Sequence, residues 1–394
     1  MSTPPPSGAV ASHLELSARA YAANVATFRR VLGPGRKLGA VLKGNAYGHG
    51  FFETLTLAHE KVDVLYVITP AEALAIRAWE DEHDVDQRRV VVIGAASTAE
   101  CVALAKERVA VVVAERGFAE VAPALRRAGL TLDVHVHLDT GLGREGFTRA
   151  QLAAGEADFL AEAADVVKVR GVLSHFANTE DVTEQSYAQA QLAAFDAGFE
   201  LLGRRVPLPP DVERHVAASA AALVLPPSRY DVARVGIGLY GLWPSTETRL
   251  SARVVLGELP ALEPVLSWRA PSQAVKWLEA GTYVGYGCTW RCGAATRVAV
   301  LPVGYYDGYP RLASGKAHVL VNGKRCPVLG RVMMNHLIVD VTQAATSDAP
   351  LVATLLGRDG DEAVTAEALA GWAQTIHYEL VTRLGPHLRR DVVP

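Results

Sequence analysis

The chain has 394 residues, half of them hydrophobic and 21% charged, with 39 Lys+Arg against 42 Asp+Glu. This is the composition of a globular protein of two or three domains with enough apolar material for real cores. A net charge of −3 offers no basic field to nucleic acid or anionic lipid, and apolar runs such as Val109–Ala114 fall far short of the roughly 18 residues that span a bilayer.

At the start, MSTPPPSGAV has neither the basic beginning nor the apolar centre of a signal peptide, and residues 1–12 read as a disordered leader. From about residue 13 to 248, short β-branched runs alternate with alanine-rich stretches of helical spacing. Strands are expected at Leu38–Leu42, Val62–Val67, Arg89–Ile93, Val109–Val113, Leu132–Leu138, Val167–Leu173, Val212–Ala217 and Val232–Leu239. Helices are expected at Ser17–Leu32, Pro70–Trp79, Thr98–Lys106, Phe118–Ala128 and Ser186–Leu202. Eight alternating units give an α/β fold, a (β/α)8 barrel of the TIM type. A doubly wound open sheet is the competing topology, but it normally has fewer units, and the glycine turn it often carries after the first strand is absent. Beyond residue 248 helical spacing nearly vanishes. Runs such as Val265–Ala270, Val298–Pro302, Ala317–Val321 and Leu337–Val341, with a hairpin at Asn322-Gly323, predict a mostly β domain over 249–394. Four cysteines make no disulfide framework; Cys288 and Cys292 lack the partners of a zinc site, no metal is expected, and a cytoplasmic address follows.

In such a barrel, chemistry collects where strands end. The first strand closes on Lys43 within VLKGNAYGHG, where partial desolvation makes the neutral amine more available as a nucleophile or base. The fifth ends in HLDTGLGREGF, whose Arg144 can clamp a carboxylate with its planar fork. The sixth brings His175; the seventh brings His215 and Ser219; the eighth brings Arg234 followed by Gly236 and Gly238. Loops after the last two strands of a barrel often hold phosphate. A strand-end lysine beside a phosphate site points to pyridoxal phosphate bound as a Schiff base.

VLKGNAYGHG, HLDTGLGREGF, SHFANTED, RVGIGLYG, VGYGCTW, LPVGYYDGYPR, GRVMMNHLIVD and HYEL resemble, in this order, the motifs of the alanine racemase family over roughly residues 13–394. That family joins a (β/α)8 barrel to a β domain and uses pyridoxal 5'-phosphate. The resemblance implies that Lys43 holds the cofactor and is one of two catalytic bases. The second is Tyr286, reaching the opposite face from the partner subunit of a homodimer with shared active sites. Tyr47, Ser219, the Gly236–Ile237 backbone and Tyr378 match phosphate ligands. His175 matches the imidazole packed on the ring, and Arg234 the partner of the pyridine nitrogen, oriented by His215. Arg144 and the Met334 main chain match substrate contacts; Tyr305 and Arg311 match residues of the entrance. Two bases suit racemisation, which removes the α-proton from one face and delivers one to the other. Reference pKa values of about 10 for both groups must be lowered for work near neutrality.

The motifs also depart from the pattern. His137 stands where the family commonly has a carbamylated lysine that braces the arginine. Ala218 replaces an asparagine, Met333-Met334-Asn335 replaces Cys-Met-Asp, and Gly44 replaces an alanine. A small amino-acid substrate is expected, alanine first and serine or another next. Three other readings stay open: decarboxylation or aldol-type chemistry on the same cofactor, a non-catalytic pyridoxal-phosphate carrier, and a zinc hydrolase using His135, His137 and Asp139, which alternate on one strand face.

Overall fold

Valine-rich runs buried on both faces favour parallel strands covered by helices, and all eight expected strands are present. The computed structural model describes residues 11–181 and 183–394, so most of the expected leader lies outside the described residues. The strands are Lys37–Val41, Val64–Val67, Arg89–Val92, Ala110–Val113, Leu132–His137, Val167–Leu173, Glu213–His215 and Val232–Val235. Each of the first six pairs in parallel with the next, and the eighth returns beside the first, with Lys37 opposite Val232. Two bonds, Asp231 N–H to Arg214 O (3.1 Å) and Arg234 N–H to Ala217 O (2.9 Å), draw the seventh and eighth together and nearly close the barrel.

The helices begin where local chemistry satisfies their free amides. Thr69 and Glu72 form a capping box for Pro70–His83, and Ser97 and Glu100 do so for Thr98–Lys106. The stretch expected as one helix from Phe118 opens as a 3-10 turn, Arg116–Glu120. It becomes α-helical at Val121–Ala128, with Pro123 in the first turn where no amide is required.

The chain divides into two units: Tyr21–Lys43 with Leu55–Glu263, and the residues up to Ala20 with Gly44–Thr54 and Pro264–Pro394. This moves the expected break from residue 248 to Glu263. The Asn24 side chain accepts from Glu263 N–H (2.8 Å) and donates to its carbonyl (2.8 Å), which keeps the segment after helix Thr246–Leu256 with the barrel unit. The barrel also does not begin at residue 13. Strand His13–Ser17 belongs to the second unit, antiparallel to Leu266–Pro271 and parallel to Arg389–Val393.

The second unit is mostly β. Its larger sheet runs Lys324–Pro327, His318–Val321, Val352–Asp359, Leu266–Pro271, His13–Ser17, Arg389–Val393, with Glu362–Val364 pairing on Val352–Asp359. A three-stranded sheet joins Ala274–Leu278, Thr296–Leu301 and Leu337–Asp340. The expected hairpin forms, with Asn322 (φ 50°) and Gly323 (φ 72°) as a two-residue turn. Trp268 is fully buried and donates its indole N–H to Ser12 Oγ (2.6 Å). Among the described residues no helix is long and apolar enough to cross a membrane.

Candidate active site

Lys43 follows directly on the first barrel strand; Leu42 still donates its amide to Tyr66 O (2.9 Å). Burial lowers the amine's pKa, and the positive charges of Arg144 and Arg234 lower it further, against smaller opposing effects of Glu145 and Glu180. After Lys43 the backbone makes a left-handed turn: Gly44, Asn45, Ala46, Tyr47 and Gly48 all have positive φ, between 52° and 79°. Left-handed helical geometry costs roughly 1–2 kcal/mol for each non-glycine residue, so tertiary contacts must hold it. The Asn45 side chain accepts from Phe51 N–H (2.9 Å), and Arg390 donates to Gly48 O (2.9 Å). A Cβ on Gly48 would lie 1.7 Å from Val381 O, so only glycine fits there.

Arg234, on the eighth strand, is buried and has no carboxylate partner among the described residues. It donates to the carbonyls of His215 and Ser174 (2.7 Å for Ser174), and its Nη1 lies 3.0 Å from His215 Nδ1. Burial brings its pKa down to about 10, which leaves it charged near neutrality. His215 in turn meets His135 Nδ1 through Nε2 at 2.7 Å. Desolvation keeps both rings neutral, His135 down to about 3 and His215 well below its ordinary value.

Ser219 Oγ accepts the amides of Gly236 (3.1 Å) and Gly238 (3.2 Å). Its hydroxyl proton has no acceptor among the described residues, and neither has the Ile237 amide. Two donors thus stand ready for an anion, while the Gly236 amide is already engaged by Ser219. His175 and His137 have no side-chain hydrogen bond among the described residues. Burial, followed by the charges of Arg234 and Arg144, keeps both neutral, at about 3 and about 4. Arg144 is exposed at the tip of its loop, where Asp139 Oδ1 accepts the amides of Gly141 (2.9 Å) and Gly143 (3.1 Å). The zinc reading is not supported: among the described residues no three such ligands converge, His135 being engaged with His215 and Asp139 with its own loop.

The other expected residues lie in the second unit. Tyr47 and Tyr378 meet there, ring centroids 6.3 Å apart. Tyr286, 70% exposed, follows strand Tyr283–Val284 on a short 3-10 turn between Gly285 and Gly287, which abut Arg331. The Met333 and Met334 carbonyls accept the amides of Tyr305 and Tyr306 (3.0 Å each), so the segments carrying Tyr286, Tyr305, Met334 and the exposed Asn335 form one neighbourhood. Arg311 begins a 3-10 turn and is exposed. Sequence reasoning missed Ser174 as a partner of Arg234, Arg331 beside Tyr286, and the place of His135 under His215. For His135 the alternation with His137 along one strand was the available signal.

Two family models match the chain: "Alanine racemase, N-terminal domain" over residues 16–244 and "Alanine racemase, C-terminal domain" over residues 265–392. The alanine racemase of Leptospira interrogans is 34% identical over 394 residues, covering 97% of this chain and 96% of its own. The crystal structure of alanine racemase from D-cycloserine-producing Streptomyces lavendulae superposes with a TM-score of 0.87 at 33% identity, covering 100% of this chain and 98% of that one. Histidine racemase from Leuconostoc mesenteroides gives a TM-score of 0.83 at 26% identity, covering 97% and 98%.

Proposed function

The chain belongs to the alanine racemase family, and we propose that it interconverts L- and D-alanine with pyridoxal 5'-phosphate, using Lys43 and Tyr286 as its two bases. The observation that carries this reading is the pairing, in one barrel, of a desolvated strand-end lysine with a buried arginine that lacks a carboxylate. The residues fit the cofactor. The Ser219 hydroxyl and the Ile237 amide offer donors to its phosphate, joined in the proposal by Tyr47, Tyr378 and the Gly236 amide, which would leave Ser219 Oγ to reach the phosphate. His175, neutral and without a hydrogen bond, suits packing on the ring. Arg234 suits a ring nitrogen that keeps its lone pair, because a guanidinium donates and cannot accept. When bound, the cofactor supplies an electron-withdrawing system that stabilises negative charge at the substrate's α-carbon.

The chain's own residues divide the rest of the work. The lowered pKa of Lys43 increases the neutral amine available near physiological pH to hold the cofactor and to take or return the α-proton on one face. Tyr286 of the partner subunit would serve the other face, in a cytoplasmic homodimer with shared sites; its exposure leaves the phenol accessible for that role. Arg144 and the Met334 main chain would hold the substrate carboxylate, with Tyr305 and Arg311 at the entrance. His137 is neutral and cannot brace Arg144 as an anion does, and Asn335 brings no charge. Serine or another small amino acid is therefore the next substrate, and the histidine racemase of the same fold supports an architecture not restricted to alanine. Family membership favours racemisation over decarboxylation or aldol chemistry. The second domain match favours an enzyme over a single-barrel carrier.

The test combines spectroscopy with a chiral screen. The purified protein with pyridoxal phosphate should show a visible absorbance band that Lys43→Ala removes, and should convert L-alanine to a racemic mixture. A new amine or aldehyde product, or no racemisation of any small amino acid, rejects the proposal.

A further inference from the structure

Arg234 and the two histidines beneath it form a chain whose proton positions follow from counting donors. Arg234 Nη1 is only a donor, so His215 Nδ1, 3.0 Å away, must accept. His215 then carries its single proton on Nε2 and donates to His135 Nδ1 at 2.7 Å. His135 consequently carries its own proton on Nε2. In the opposite tautomer His215 would present N–H to N–H at Arg234, and the guanidinium would lose one of its few partners.

The barrel is shaped around this contact. The register between the fifth and sixth strands shifts between Val134 and His135, a local irregularity that re-aims the side chain. Across from it stands Gly171, where a Cβ would lie 2.2 Å from His135 Nδ1. The imidazole therefore occupies space that any other residue at 171 would fill. Both rings are buried, and they meet edge to face with centroids 4.9 Å apart.

We propose that His135 is a positioning residue for the racemase reaction: while Arg234 keeps His215 Nδ1 bare, His135 accepts the Nε2 proton, and the two contacts together secure the tautomer that aims Arg234 at the cofactor's ring nitrogen. This rests on the reading of Arg234 given above. Loss of the acceptor lets His215 change tautomer and the guanidinium swing, so the ring nitrogen is no longer kept free of a proton. A protonated ring draws electrons more strongly, which favours return of the proton at the wrong carbon and hence transamination over racemisation.

The test uses the holoenzyme with ¹⁵N-labelled histidine, His215 and His135 being identified from single variants. In the wild type, both should be protonated on Nε2 and bare on Nδ1. His135→Phe, which removes the acceptor, should change the His215 tautomer, lower kcat roughly tenfold as loss of an outer hydrogen-bond partner typically does, leave KM within about twofold, and raise the ratio of transamination to racemisation. His135→Asn, whose amide oxygen can accept, should restore the tautomer and most of the rate. A wild-type His215 protonated on Nδ1 overturns the proposal, and that spectrum decides even if His135→Phe does not fold. An unchanged tautomer in a folded His135→Phe also overturns it, whatever the rate. Failure of the wild type to bind pyridoxal phosphate would instead reject the reading of Arg234, a distinct result.

Discussion

Arg144 Nη2 lies 3.0 Å from Glu145 Oε1, and these two neighbours act on Lys43 in opposite directions. The guanidinium lowers the lysine's pKa and the carboxylate raises it. In the proposed role Lys43 must be neutral to accept the α-proton, so the acidic limb of the rate profile should follow its titration. Arg144→Gln removes a cation, Lys43 then titrates at higher pH, and the limb moves up. Glu145→Gln removes an anion and moves the limb down. The profile of kcat against pH, which reports the substrate complex in which the amine is released from the cofactor, measures both, and shifts in the same direction would detach the limb from Lys43. The ion pair itself is exposed, so Glu145→Gln should alter stability by less than about 1 kcal/mol.

Tyr286 is 70% exposed, so deleting its hydroxyl disturbs little packing. Tyr286→Phe should lower racemisation by at least about 100-fold, the scale of a lost general acid or base. The cofactor's absorbance and the melting temperature should stay as in the wild type. Racemisation at the original rate, followed by polarimetry, would remove Tyr286 from the two-base scheme.

The barrel strands are legible in the sequence because each is a short β-branched run between helices, a pattern set by neighbouring residues alone. The domain boundary is not, because it depends on Asn24 gripping Glu263 from 239 positions away. The site divides in the same manner. Lys43 is legible as a lysine closing an apolar strand, and Arg234 as a strand-end cation before glycines. The left-handed turn at Asn45, Ala46 and Tyr47 opposes what those residues prefer and is held by contacts such as Arg390 on Gly48 O. Alternation along the fifth strand puts His135 on the same face as His137 and Asp139, but its partner is His215, 80 residues later.

Gly48 offers a direct measure of that turn. Its φ of +79° is rare for other residues, and an added Cβ would meet Val381 O at 1.7 Å. Gly48→Ala must displace backbone and should destabilise by several kcal/mol, on the order of 3–5. Gly129 has a similar φ of +67°, but a Cβ added there would have no neighbour within 4 Å. Gly129→Ala should therefore show only the conformational cost, about 1 kcal/mol. Urea unfolding of both variants separates the two causes, and equal losses would mean that the Val381 contact relaxes freely.

The buried histidines make the fold sensitive to acid. His49 and His137 are held at about 4 and His135 at about 3, all by desolvation first, with His215 also well below 6.5. Above pH 6.5 these groups are neutral in the folded and unfolded chain alike and contribute no pH dependence. Below it the unfolded chain binds protons that the folded one refuses until pH 3–4, so stability falls as the pH drops through that window. The slope approaches about 1.4 kcal/mol per pH unit for each such histidine. Melting temperatures should be level from pH 7 to about 8 and should decline steeply from about pH 6 to 5. His137 has no hydrogen bond among the described residues to lose, so His137→Gln should remove one proton's share of that slope. An unchanged slope would show that His137 takes up its proton inside the fold near the ordinary value, and that the barrel mouth is wetter than its burial implies.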